Sequence, residues 1–189
     1  ACLGLSEGGD DCVMYSLKEK LGDPGQFAIG LELVSTRGTM QDLKSRVLRD
    51  FAGDVVSIDD IDWVSITDNA GGNPMLNPIG LGKPLLYSGK DVIIHLSCKD
   101  LNRNGLEREA WLLASEGFHN ILTLSGDYPI DGYQGKARPV FDIDSVGLLR
   151  MLSDMNQGLT ITGPGGRNRR SLRGTDFFPG AVATNFKLH

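Results

Sequence analysis

Five polar side chains stand near the ends of apolar segments: Glu32, Thr67, His95, Ser97 and Asp127. Two of them, Glu32 and Asp127, are carboxylates. A pair of carboxylates in one site suits general acid and base chemistry, because a partly desolvated carboxylic acid can hold a proton near neutral pH while its partner stays ionised. Asp127 also has a simple structural explanation, since the Gly-Asp step in ILTLSGDYP (121–129) is a common way to leave a strand.

A metal site is not predicted from these residues. His95, Cys98 and Asp100 are close in sequence, but neighbouring residues of a strand point to opposite faces, so they would not converge on one ion. A histidine on a strand is more typical of a hydrogen-bonded structural residue than of a catalyst. The three cysteines, Cys2, Cys12 and Cys98, have unrelated spacings that indicate free thiols.

The elements that must position these residues are strands alternating with helices. Five segments bounded by turn formers are predicted to be strands: FAIGLELV (27–34), IDWVSIT (61–67), DVIIHLS (91–97), NILTLSG (120–126) and FFPGAVAT (177–184). Apolar residues at helical spacing predict helices over 39–51, 104–117 and 144–158, and Thr39 with Asp42 resembles a capping box. This alternation indicates a parallel sheet of βα units.

Two-residue alternation along the first four strands gives each one apolar face and one small or polar face. In the first strand, Phe27, Ile29, Leu31 and Leu33 share the apolar face. Ala28, Gly30 and Glu32 share the other, and the two small residues leave space where a planar cofactor could lie. An open doubly wound sheet is apolar on both faces, whereas a barrel can carry polar groups at the carboxyl ends of its strands. We therefore predict an α/β TIM-type barrel with both carboxylates in its mouth.

The composition favours a small-molecule partner. The formal charge of −5 and the isoelectric point near 5.1 predict no basic surface for nucleic acid or an anionic membrane. We find no long apolar run and no signal-peptide pattern, so a cytoplasmic protein is predicted. Glycine is abundant, and its excess lies in loops such as AGGNP (70–74) and GPGGR (163–167), where sites are often built. The basic run RNRRSLR (167–173) is predicted to be a solvated loop, with a phosphate contact as the alternative.

Several longer stretches resemble the methylenetetrahydrofolate reductase family. They are DWVSITDNAGGNP (62–74), HLSCKDLNRNGLEREAWLLASEGFHNILTLSGDYP (95–129), VFDIDSVGLLRMLSDMNQG (140–158) and FFPGAVATNF (177–186). The form is similar to the one in two-domain homocysteine methyltransferase/reductase proteins and in acetogenic bacteria. The resemblance covers most of residues 15–186, and the HLSCKDLNRNGL block followed by SGD is its most specific part.

The resemblance implies a TIM barrel that binds a flavin, usually FAD. Its reaction would be the reduction of 5,10-methylenetetrahydrofolate to 5-methyltetrahydrofolate, in one-carbon metabolism and methionine biosynthesis. By matching positions, Glu32 is the general acid that protonates the folate ring nitrogen, and Asp127 is the carboxylate that holds the pterin and tunes the flavin. Many relatives have Arg at the position of Ser125. The positions that match flavin-lining residues are Thr67, His95, Ser125 and Gly126.

The strand count predicts an incomplete barrel. A closed barrel needs eight strands and about 250 residues, whereas only five strands are predicted here. We expect residues 27–189 to be the N-terminal part of a reductase barrel, and residues 1–26, with the helical pattern YSLKEKL (15–21), to be a leader packed outside the first strand. A fragment of a longer chain is favoured, because an unclosed barrel exposes sheet edges. A barrel wall supplied by another chain is the alternative.

Partners and rival functions follow from the same resemblance. The expected partners are a folate and an electron donor, which is NAD(P)H or a reducing partner protein. For the assembly, the prediction leaves two alternatives, a homo-oligomer and a complex with a partner subunit. One alternative function is a non-catalytic or partner-completed folate- or flavin-binding subunit of a larger methyl-transfer assembly. Another is a reductase that takes its hydride directly from nicotinamide without a flavin.

Overall fold

The computed structural model of the protein describes residues 16–163, 165 and 168–183. Its main sheet has five parallel strands, which lie side by side in the order β1 (Gly30–Leu33), β2 (Trp63–Ile66), β3 (Asp91–Ser97), β4 (Asn120–Leu124) and β7 (Phe178–Ala181). Two short strands, β5 (Thr160–Ile161) and β6 (Arg170–Ser171), pair with each other in antiparallel fashion. The helices are α1 (Leu17–Gly22), α2 (Leu43–Val56), α3 (Ile79–Tyr87), α4 (Arg103–Ser115) and α5 (Ser145–Gln157). The predicted parallel α/β arrangement is confirmed.

The sheet does not close into a barrel within the described residues. Strands β1 and β7 form its two edges, each paired with a single described neighbour. The edge position explains why β7 tolerates Pro179, which has no N–H to donate to a further strand. The open wall agrees with the predicted incomplete barrel; residue 184 of the predicted fifth strand lies outside the described residues.

The predicted first strand extends too far: β1 begins at Gly30, and Phe27 and Ile29, which precede it, are exposed.

The apolar faces of the strands build the core against the helices. Buried strand residues alternate with buried small or polar residues, as the two-residue period requires. The core members on the strands include Leu33, Val64, Ile66, Val92, Ile94, Leu96 and Ile121, and those on the helices include Leu81, Leu85, Leu106, Leu113, Leu148 and Leu152. The opposite face carries Ser65, Thr67, His95 and Ser97, all of them buried. The fourth strand does not follow the predicted separation of faces: Leu122 and Leu124 lie in register with His95 and Ser97, whereas Thr123 lies beside Leu96 on the core face.

Helix α2 presents a different face from the one that its spacing suggests. Three residues of the predicted apolar stripe are exposed, Leu43 at 78%, Val47 at 62% and Phe51 at 46%, whereas Met40 and Leu48 pack partly buried against the core. The buried residues are instead Ser45, Ala52 and Val55. Small side chains on this face allow the helix to approach its neighbours closely. The face that packs against the core is therefore smaller than the face predicted from hydrophobic periodicity.

The predicted capping box before this helix is wrong. The side chain of Asp42 accepts hydrogen bonds from both the backbone N–H and the hydroxyl of Thr39, which forms a tight turn. Asp42 is the N-cap residue but makes no capping bond into the helix, which begins at Leu43. The two residues therefore shape the loop after β1 rather than the first helical turn.

Helix α3 is absent from the predicted elements. Its sequence IGLGKPLLY contains two glycines and Pro84, all of which disfavour a helix. Packing overrides these preferences, because Leu81 and Leu85 are buried. Gly82 is needed at its position, since a Cβ there would lie 2.9 Å from the ring of Phe118.

Helix α1 lies at the amino ends of the central strands, not outside β1 as predicted for the leader. Leu17 is buried, and its N–H donates to the carboxylate of Asp91 at the start of β3 at 2.7 Å. Lys20 forms an ion pair with Asp62, which directly precedes β2. These contacts leave the opposite, carboxyl edge of the sheet open. Residues 1–15 of the predicted leader lie outside the described residues.

Candidate functional site

The carboxyl ends of the parallel strands bring the predicted site residues to one edge of the sheet. Glu32 lies within β1 and His95 within β3, whereas Thr67 directly follows β2 and Asp127 lies shortly after β4. Parallel strands all end at the same edge, which is where barrel folds carry their sites. The structure therefore places both carboxylates on one side of the molecule.

Glu32 and His95 face each other across β2. The distance between Glu32 Oε2 and His95 Nε2 is 3.9 Å. The imidazole is almost fully buried, whereas the Glu32 side chain is 56% exposed. Their separation exceeds hydrogen-bonding distance, so the two groups are neighbours without a hydrogen bond.

His95 Nε2 is a buried nitrogen without a hydrogen-bond partner among the described residues. Such atoms are uncommon in folded proteins because each costs roughly 1–3 kcal/mol of lost solvation. Burial lowers the pKa of His95, and the nearby Glu32 carboxylate opposes that shift only in part. A neutral imidazole with a buried, unsatisfied nitrogen therefore lies 3.9 Å from the Glu32 carboxyl group.

Asp127 is tied to the glycine-rich loop after β2. Its Oδ2 accepts a hydrogen bond from the N–H of Gly71 at 3.1 Å, and the Ile130 N–H donates to the Gly72 carbonyl at 3.0 Å. Gly72 has φ of +73°, and a Cβ at this position would lie 2.1 Å from the carbonyl oxygen of Tyr128. The AGGNP loop thus requires glycine so that it can hold the segment around Asp127.

Thr67 is buried and engaged with the loop after β1. Its N–H donates to the Leu33 carbonyl at 3.0 Å, and its hydroxyl accepts from the N–H of Ser35 at 3.3 Å. The hydroxyl of Ser35 donates in return to the Thr67 carbonyl. These bonds hold the ends of β1 and β2 together beside Glu32.

Ser125 directs its hydroxyl towards the start of α5. The oxygen lies 3.4 Å from the hydroxyl of Ser145 and accepts from the Ser145 N–H at 3.3 Å. The next residue, Gly126, adopts φ of +88°, which turns the chain into Asp127. The side chain of Ser125 thus serves the fold.

The strand ends also carry a buried charged cluster that sequence reasoning missed. Asp68 follows β2 and accepts hydrogen bonds from the N–H and hydroxyl of Ser97, at 3.0 and 2.8 Å. Lys99 follows β3, is 2% exposed, and pairs with Asp100, which also accepts from Asn69 at 2.8 Å. The same strand-end rule that singled out Asp127 would have found Asp68 and Lys99.

Asp68→Asn is expected to flatten the dependence of stability on pH. Burial raises the pKa of Asp68, with the Ser97 hydrogen bonds opposing, so the folded protein binds this proton more tightly than the unfolded chain. The parent therefore loses stability as pH rises from about 4 through the raised value. Asn keeps an acceptor for Ser97 without a charge, so the variant should gain stability relative to the parent across that window. Urea unfolding at a series of pH values measures the difference.

Asp142→Asn is a matched control of opposite sign. The hydrogen bond from the Arg103 side chain lowers the pKa of Asp142 to about 2. The ionised carboxylate therefore stabilises the folded protein at pH values above the ordinary pKa of Asp, and this contribution is lost as the pH falls through the lowered pKa. The control should therefore be less stable than the parent at neutral pH. If the difference in free energy of unfolding between Asp68→Asn and the parent stays constant from about pH 4 to 8, the raised pKa of Asp68 is contradicted.

On β2 and β3 the face behind the strand ends is polar and buried. It is lined by buried hydroxyl groups of Ser65, Thr67 and Ser97 together with the unsatisfied His95 nitrogen. The expected free space over Gly30 does not exist, because a Cβ there would lie 2.0 Å from the Trp63 indole. Any planar ligand must lie nearer the carboxyl edge than the alternation along β1 suggested.

The described residues give less support to metal-dependent or thiol chemistry. Across the described part of the chain, no three His, Cys, Asp or Glu side chains group as metal ligands. Cys98 is buried, and burial raises the pKa of its thiol to about 11, which disfavours the reactive thiolate. Cys2 and Cys12 lie outside the described residues. None of the helices described is both long and apolar enough to span a bilayer.

The fold and the site define an α/β domain that gathers polar residues at the carboxyl ends of parallel strands, as barrel enzymes do. A family model described as "Methylenetetrahydrofolate reductase" matches residues 20–162, and the chain belongs to that family. No curated protein matches the chain. The family fold is a TIM barrel, of which the five parallel strands form an incomplete wall. Membership supports an oxidoreductase kind of activity in folate one-carbon metabolism.

Proposed function

We propose that this protein reduces 5,10-methylenetetrahydrofolate to 5-methyltetrahydrofolate with FAD as its cofactor. The observation that carries the proposal is the position of Glu32 and Asp127 on the carboxyl edge of a sheet that belongs to this family. The reaction adds a hydride to the methylene carbon and a proton to a folate ring nitrogen. It therefore needs an acid and a carboxylate anchor in the same mouth.

Glu32 is the proposed proton donor. Protonation of the folate ring nitrogen opens the five-membered ring and leaves an electrophilic iminium at the methylene carbon, which a hydride can attack. The exposed Glu32 side chain can reach a ligand in the mouth and can exchange its proton with water between turnovers. The neutral imidazole of His95 lies 3.9 Å from the same carboxyl group.

Asp127 is the proposed anchor for the pterin. One of its oxygens accepts from the Gly71 N–H, and no described residue donates to the other oxygen, Oδ1. A carboxylate oriented in this way can accept hydrogen bonds from the amino group and ring N–H of a pterin. Its negative charge also influences the electronic state of a nearby ring system.

FAD, when bound, supplies the hydride. The residues proposed to hold it are Thr67 and His95 through their side chains, and Ser125 and Gly126 through their backbone. The buried hydroxyl groups and the unsatisfied His95 nitrogen favour a polar ring in this position. The proposed electron donor is NAD(P)H or a reducing partner protein.

Flavin uptake and the two half-reactions test the proposal. Purified protein incubated with FAD should become yellow after removal of free flavin, and the reduced form should be reoxidised by 5,10-methylenetetrahydrofolate with formation of 5-methyltetrahydrofolate. A protein that takes up no FAD and reduces no folate would contradict the proposal and favour the non-catalytic assembly subunit. Hydride transfer from NADH or NADPH to folate in a flavin-free sample would instead identify the direct nicotinamide reductase.

A further inference from the structure

Lys99 is a buried cation to which the proposed chemistry assigns no role. It follows β3 and is only 2% exposed, which makes it one of the largest fully buried side chains in the described structure. Burying an ammonium group is costly unless it is paired. Its Nζ pairs with Asp100, whose carboxylate also accepts from the side chain of Asn69 at 2.8 Å. The ammonium is thereby held between the ends of β2 and β3.

The stem of Lys99 lies directly beside the turn that leads into Asp127. A Cβ built on Gly126 would lie 3.0 Å from Lys99 Cδ and 3.1 Å from its Cγ. The backbone carbonyl of Lys99 accepts from the Val140 N–H at 2.7 Å, so the residue is fixed at both its backbone and its side chain. Gly126 therefore rests on a side chain that has little freedom to move.

Two supports converge on Asp127 from different loops. The Gly71 N–H holds the carboxylate itself, and the Lys99 stem holds the preceding glycine at φ of +88°. The first support comes from the loop after β2 and the second from the residues after β3. Removing the stem would leave a space beneath Gly126 into which the turn can relax, and the carboxylate would move with it.

We propose that Lys99 is a positioning residue for Asp127, acting through the packing of its aliphatic stem against Gly126. Its ion pair with Asp100 anchors the stem, whereas the stem itself fixes the direction of the carboxylate. The inference rests on the proposed function, in which Asp127 binds the folate. It predicts that the stem, and not the charge, determines folate affinity.

Two substitutions separate the stem from the charge. Lys99→Met keeps an unbranched stem of similar reach and removes the charge, so folate affinity should stay within about threefold of the parent. Lys99→Ala removes the stem, so affinity should fall about tenfold to 100-fold, the scale expected for a misplacement of about 1 Å. Both variants should lower the melting temperature, because each leaves Asp100 without its buried partner. A purely structural role would lower affinity and stability together in both variants.

The measurement is titration calorimetry of 5-methyltetrahydrofolate into the FAD-treated protein, alongside thermal unfolding. Lys90→Ala is the matched control: Lys90 lies at the opposite end of β3, where its ammonium donates to the carbonyls of Ile58 and Ile61 at 2.6 and 2.9 Å. This variant should lose stability without losing folate affinity.

The outcomes distinguish this inference from the proposed function. A parent that does not bind the folate at all overturns the function on which the inference rests. A parent that binds, with Lys99→Ala binding equally well or Lys99→Met losing as much as Lys99→Ala, overturns the role of the stem alone. If Lys99→Ala does not fold, Gly126→Ala tests the same contact, because the added methyl group would push against the Lys99 stem. Unchanged folate affinity in that variant also overturns the proposal.

Discussion

Glu32→Gln is expected to slow the reduction of 5,10-methylenetetrahydrofolate by about 10²–10⁴-fold, the usual contribution of a general acid. Gln keeps the size and the hydrogen-bonding reach of Glu but cannot deliver a proton to the folate ring nitrogen. Reduction of the flavin by its donor should be nearly unchanged, because that step needs no proton from this residue. Stopped-flow measurement of the two half-reactions separates these effects.

The Glu32 prediction has a control on the far side of the sheet. Glu116 follows α4 and pairs with Lys83, close to the amino end of β4, so Glu116→Gln removes a carboxylate away from the mouth. This variant should leave both half-reactions at the parent rate. If Glu32→Gln reduces folate within about twofold of the parent, far from the range for an acid catalyst, Glu32 is not the proton donor.

Asp127→Asn is expected to weaken folate binding by about tenfold to 100-fold, because hydrogen bonds to a charged group contribute roughly 1.5–3 kcal/mol. Asn still offers an oxygen to the Gly71 N–H, so the turn should persist while the charge is lost. The reduction potential of the flavin should rise by tens of millivolts, since removing a negative charge favours the anionic reduced form, and ~30 mV corresponds to ~1.4 kcal/mol for a two-electron couple.

Asp131→Asn is the matched control for Asp127. Asp131 is half exposed, lies four residues further along the same loop, and pairs with Arg37. Its replacement should leave the potential and the folate dissociation constant close to those of the parent, because surface ion pairs contribute little. Equal effects of the two substitutions on both quantities would show that general loop charge, and not Asp127 itself, is responsible.

The local pattern of the chain was sufficient to predict most of its layers. Alternation along β3 correctly separated the buried apolar residues Ile94 and Leu96 from His95 and Ser97 on the other face. Along β4 it did not, because Leu122 and Leu124 lie in register with His95 and Ser97. Gly158, predicted as a helix end, follows α5 with φ of +90°, a conformation that favours glycine. The alternation of strands and helices indicated the parallel order, because βα units connect strands in one direction. The family, too, was recognisable from the sequence, and the family match confirms it.

Only the tertiary structure decided which side chains meet. The 3.9 Å approach of Glu32 to His95 depends on the register of three strands, and the Gly71–Asp127 hydrogen bond joins loops 56 residues apart. The stripe on α2 and the helix α3 were misjudged because burial is a property of neighbouring elements, which local periodicity does not specify. The position of Lys99 after a strand does not by itself show that its side chain is buried. It is buried because three strand ends and their loops enclose it, and that enclosure exists only after the chain has folded.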